Sequence, residues 1–93
     1  MTSIQQLLEA ERARAERKYP TPVTLHSGVG LLQMKLFRFQ QRSCGHMTDT
    51  DINCRREAQM CLLHIMAVSS RMLEEVLGVP SIEEYNEFNS TSL

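Results

Sequence analysis

Six side chains in this sequence have the types and spacing needed to grip an anion. Lys35, Arg38 and Arg42 stand at i, i+3 and i+7, so on a helix they share one side. Glu57, His64 and Arg71 follow one another at steps of seven and fall nearly on one helix face. If two such helices face each other, four cations meet one carboxylate, with a histidine able to titrate between them. An arginine guanidinium holds phosphate oxygens through two parallel bonds, so such a cluster reads as a receptor for a phosphorylated ligand. In that receptor Lys35, Arg38 and Arg42 contact phosphate and Arg71 is a second clamp. His64 donates to phosphate or base, and Tyr19 stacks on a base. The same residues also fit a plainer arrangement. There the basic stripe is a solvated face, Glu57 and Arg71 lie near solvated helix ends, and His64 is a satisfied core histidine.

Other chemistry is less well supplied. Cys44, His46, Cys61 and His64 offer four ligands of a kind that suits tetrahedral zinc, but their spacing is not that of a CxxC site. Free cysteines pack as small hydrophobes, and no metal is expected. Met34, Met47, Met60, Met66 and Met72 read as core filler, with a methionine-lined groove for a partner helix as the alternative. Magnesium-dependent hydrolysis needs several facing carboxylates. The segment from 28 to 42 has no Asp or Glu, and the next long segment offers Glu57 and then nothing acidic until Glu74 and Glu75. No Gly-rich phosphate loop and no Ser-His-Asp order is present. No catalytic residue and no cofactor is therefore expected.

The elements that must position these groups are all helical. Ser3 and Gln6 have capping-box spacing and open a charged lead helix over 3–18, whose apolar stripe is only Ile4, Leu7 and Leu8 followed by alanines. Its glutamates and arginines are placed to pair with one another, which predicts a solvated helix weakly anchored at one end. Tyr19-Pro20-Thr21-Pro22 stops it. A Pro-rich linker over 20–27 follows, and Ser27 is the expected cap of a second helix over 28–42. A third helix is expected over 51–77, capped by Thr48 or Thr50 and closed by Gly78 in the left-handed conformation, with Pro80 beyond. Its middle, Met60 to Val68, is apolar on nearly every side except His64, which predicts burial all round. Ser81-Ile82-Glu83-Glu84 repeats the capping-box pattern and starts a short helix to about Phe88, with a frayed tail from Asn89. The fold class is all-α: three main helices plus a short C-terminal helix. The chain divides into a lead helix (1–19), the linker (20–27), a helical hairpin core (28–77) and a short helix with its tail (78–93).

Bulk properties narrow the setting. A chain of 93 residues is one domain with a thin core. Two short helices barely cover an all-round apolar third, so contact with further copies in an oligomeric bundle is expected. The net charge of -1 gives no general affinity for nucleic acid or a membrane surface. Three cysteines at irregular spacing make a poor disulfide framework. The opening residues lack the pattern of a signal peptide, and no apolar run is long enough to span a bilayer. A reducing cytoplasm is the expected location, with free thiols.

Three stretches carry a family resemblance. Glu11-Arg12-Ala13-Arg14-Ala15-Glu16-Arg17-Lys18-Tyr19 resembles a charged lead helix ending in an aromatic residue. His26-Ser27-Gly28-Val29-Gly30-Leu31-Leu32 is similar to the opening of a first catalytic helix, and Arg71-Met72-Leu73-Glu74-Glu75-Val76 to the end of a second. Together they cover about two-thirds of the chain, and the family they resemble is that of the MazG-like all-α nucleoside triphosphate pyrophosphohydrolases, especially the short phage and bacterial forms. That family holds magnesium with an EExxE motif, where this chain reads Met34-Lys35-Leu36-Phe37-Arg38. On the second helix Cys61 stands at one matched carboxylate position, or Glu57 does if the match shifts by a helical turn. Cations in those seats repel magnesium and attract phosphate. The resemblance thus implies a scaffold that keeps a nucleotide pocket and has lost hydrolysis, as in phage sponges that sequester a host's nucleotide immune signal. Two alternatives stand beside it. One is a residual pyrophosphohydrolase using Glu57, Asp49, Asp51, Glu74 or Glu75 as metal ligands. The other is an inhibitor that docks on a partner protein.

Overall fold

A computed structural model describes residues 1–20, 22–43 and 52–91. The described chain is all-helical: α1 (Ile4–Lys18), α2 (Leu25–Ser43), α3 (Ile52–Met72), a π-helical continuation of α3 (Leu73–Leu77), and α4 (Ile82–Thr91). No strand occurs among the described residues, and no helix among them is long and apolar enough to cross a membrane.

Local side-chain chemistry sets most of the helix starts. Ser3 Oγ accepts the Gln6 N–H at 3.1 Å while Gln6 Oε1 accepts the Ser3 N–H at 2.8 Å, the expected capping box. Ser81 and Glu84 repeat it at α4, at 3.1 and 3.3 Å. At α2 the expectation needs correction. The Ser27 N–H donates to Thr24 Oγ1 and the Thr24 N–H to Ser27 Oγ, both at 3.1 Å. Thr24 is therefore the cap and Ser27 its reciprocal partner one turn in, so the linker ends three residues sooner than expected. The proposed caps Thr48 and Thr50 lie outside the described residues.

The centre of the fold is the α2–α3 hairpin, with α1 lying on α3. Gly28 of α2 meets Met72 of α3: a Cβ at Gly28 would stand 2.6 Å from the Met72 sulfur. The buried residues of α3 are small, Ala58, Cys61 and Ala67, together with Met72 and Arg71. Small residues bring backbones close and leave little apolar volume between them. That is why burial all round of Met60 to Val68 is not found in this chain: Met60, Leu62 and Met66 are 47%, 46% and 38% exposed. Of the described methionines only Met72 is core filler.

α1 buries no residue. It is held by charge. Arg12 forks onto Glu74 with two bonds of 2.8 Å. The anchor is thus mid-helix and polar, not the weak apolar end that the sequence predicts. The π-helical turn carries Glu74 and its neighbour Glu75 to different partners. Glu75 accepts the Val23 N–H at 2.8 Å and Arg71 Nε at 3.3 Å. Gly78 has φ +92° and ψ 144°, a conformation that favours glycine but is extended rather than the left-handed helical cap expected. α4 runs to Thr91, past the expected end at Phe88. Its last turn is reinforced by Asn89 Nδ2 donating to the Tyr85 carbonyl at 2.8 Å.

Candidate functional site

The underside of α1, the first half of α2 and the second half of α3 enclose a cavity of about 90 Å³. Arg14, Lys18 and Tyr19 reach it from α1, Lys35 from α2, and His64 and Arg71 from α3. Its apolar wall is Val23, Leu31, Met34, Ala67 and Val68. Four cations therefore line it against one carboxylate, Glu11. A volume of this size holds about three waters at ~30 Å³ each, or one phosphate group.

Each charged group is oriented by a neighbour. Arg14 donates to both oxygens of Glu11, at 2.9 and 2.6 Å. That bond holds the Glu11 carboxyl below its ordinary range, against partial burial, with His64, Arg14 and Lys35 adding attraction. Arg71 is 4% exposed and is steadied by Glu75, whose own carboxyl is held low first by the Val23 amide and then by Arg71. Lys18 lies 5.4 Å from the Tyr19 ring centroid, a cation–π contact at the mouth of the cavity.

His64 is pushed below its ordinary value, first by burial and then by the charge of Lys35. It is therefore neutral near pH 7. Glu11 Oε1 lies 3.4 Å from its Nε2 and Arg14 NH2 lies 3.5 Å from the same atom. Only one of these can be a hydrogen bond at a time, since the carboxylate needs a proton on Nε2 and the guanidinium needs a lone pair there. His64 Nδ1 is buried without a hydrogen-bond partner.

A second, more open recess of about 320 Å³ adjoins the first. Lys35 and His64 line both; Arg38, Arg56, Glu57, Met60 and Cys61 complete the second. The six residues named from the sequence thus separate. Lys35, His64, Arg71 and Tyr19 share the enclosed cavity. Arg38 lies in the open recess. Arg42 lines neither and forms an ion pair with Glu57. Arg71 is buried at the cavity rather than near a solvated end. Arg14, Lys18 and Glu11 were not singled out. The signal for them is the run Glu11, Arg14, Ala15, Lys18, one helical face that ends at Tyr19.

The carboxylates considered as metal ligands are engaged by cations of the same chain: Glu57 by Arg42, Glu74 by Arg12, Glu75 by Arg71. Asp49 and Asp51 lie outside the described residues, as do Cys44, His46 and Met47. Among the described residues no group of three or more His, Cys, Asp or Glu side chains is placed to hold a metal ion. No family model, no curated protein and no solved structure matches this chain.

Proposed function

We propose that this protein binds a small phosphorylated molecule of nucleotide type and holds it without turning it over. One observation carries the reading: Arg14, Lys18, Lys35 and Arg71 converge on one enclosed cavity whose only lining carboxylate is already tied to Arg14. A phosphate placed there gains several charge-assisted bonds at once, in a site where water is scarce and such bonds are strong. The enclosed volume is too small for a whole nucleotide, since drug-sized ligands need roughly 300 Å³ or more. The phosphate fills the cavity, and the remainder of the ligand lies either across Tyr19 or along the open recess beyond Lys35 and His64. The resemblance to a MazG-like scaffold with cations in its metal seats points the same way, and sequestration of a nucleotide signal, as a phage sponge performs it, is the role that follows.

The test is calorimetric titration with ATP, AMP, a cyclic dinucleotide and inorganic pyrophosphate, without divalent metal. Binding of at least one is expected. Losing one charged hydrogen-bond partner costs about 1.5–3 kcal/mol, so Lys35→Glu and Arg14→Glu should each weaken binding by at least about 10-fold. Arg42→Glu, outside both recesses, should leave it nearly unchanged. Absence of heat with all four probes, with no phosphorylated molecule retained from cell extract in native mass spectrometry, would reject the proposal.

A further inference from the structure

The geometry points to a docking surface for a second copy of this chain, on the side of the α2–α3 hairpin turned away from the cavity, with the partner copy's α4 as the element that lies across it. This surface is separate from the ligand reading and stands or falls without it.

Gly28 meets Met72 near one end of the hairpin and Arg42 meets Glu57 near the other, so α2 and α3 run antiparallel. Each residue turns a helix by about 100°. With Leu31, Met34 and Lys35 of α2 lining the cavity, Leu25, Val29 and Leu36 fall on the opposite flank. With His64, Ala67 and Arg71 of α3 lining it, Leu62, Met66 and Leu73 fall on the opposite flank of that helix and its continuation. In an antiparallel pair these two flanks form one surface. All six side chains are 38–50% exposed. A contiguous apolar face of this kind on a small domain marks an interaction site.

The same chain carries an element suited to cover it. α4 is not among the helices that pack on α3. It presents Ile82, Tyr85 and Phe88 at three-residue steps, 64%, 58% and 68% exposed. Its ten residues span about 15 Å, and the stripe from Leu25 to Leu36 spans about 17 Å. The charges also match. α2 carries Lys35, Arg38 and Arg42 and no acid, whereas α4 carries Glu83, Glu84 and Glu87 and no lysine or arginine. An apolar helix face laid into an apolar groove is a familiar mode of recognition. Reciprocal exchange of α4 between two copies gives a closed two-fold dimer, and each copy's cavity stays on the outside.

Light scattering and sedimentation of the full chain across a dilution series test this. The expected mass is twice that of one chain. Tyr85→Asp and Leu62→Asp should each give single chains with an unchanged helical circular dichroism signal, because both positions are exposed within the chain. Mixing these two variants should regain a dimer, since one supplies an intact α4 and the other an intact face. Two hairpins docked face to face would not be rescued by mixing. A one-chain mass for the unsubstituted protein overturns the inference, as does a dimer indifferent to Tyr85→Asp or a mixture that stays monomeric.

Discussion

Two glycines in α2 should respond in opposite directions to the same substitution. Gly30 sits mid-helix with no atom within 4 Å of where a Cβ would stand. Alanine there removes the entropic cost of glycine in a helix, a gain of about 0.5–1 kcal/mol. For a chain of this size that raises the melting temperature by roughly 2–8 °C. Gly28→Ala has the same propensity gain, but its Cβ falls 2.6 Å from Sδ and 2.9 Å from both Cγ and Cε of Met72. Met72 is 7% exposed and has little room to retreat. Forcing an extra methyl into such a contact costs about 1–3 kcal/mol. Because the propensity gain is common to both variants, the difference between their stabilities isolates that contact, at about 1–3 kcal/mol. Urea unfolding followed by circular dichroism measures it, with equal m-values as the check that compactness is unchanged. In a Met72→Ala background the difference should vanish, which is the signature of a direct coupling. If Gly28→Ala stabilises as much as Gly30→Ala, the close approach of α2 and α3 is wrong, and the cavity walls built on it are wrong as well.

Two further outcomes follow from the charged groups. His64 is held neutral by burial, so its pKa in the fold lies below the unfolded 6.5; the unfolded chain binds more protons in that window, and stability falls as pH drops below about 6.5. His64→Gln should flatten that limb of a melting-temperature profile, leaving the loss at lower pH, where Glu11, Glu74 and Glu75, all held below their ordinary range, become protonated. Arg12→Glu should release α1 from Glu74, seen as faster amide exchange along 4–18 with α2 and α3 unchanged, and Arg12→Glu with Glu74→Arg should restore protection.

What the sequence made legible were features written in local bonds. The two capping boxes lie within four residues each, so Ser3 with Gln6 and Ser81 with Glu84 could be read directly. Thr24 and Ser27 are both competent caps three residues apart, and only the observed pairing shows which one lies outside the helix. The π-helical turn left no local mark, because its partners Arg12 and Val23 are some fifty to sixty residues away. The candidate site divided along the same line. Lys35 and His64 were found by helical periodicity within α2 and α3, and they do meet. Arg42 belongs to the same stripe as Lys35, yet a carboxylate across the hairpin, Glu57, claims it. Arg14 and Lys18 looked like part of a wet helix, since nothing in their neighbourhood says that α1 folds back onto α3.

That folded-back arrangement divides the labour within the chain. α1 contributes much of the cavity wall while burying none of its own residues. Substitutions along its inner edge therefore carry almost no penalty in the core and act chiefly on what the cavity accepts. A lineage under pressure to recognise a new ligand can rewrite this one helix and leave the hairpin as it is.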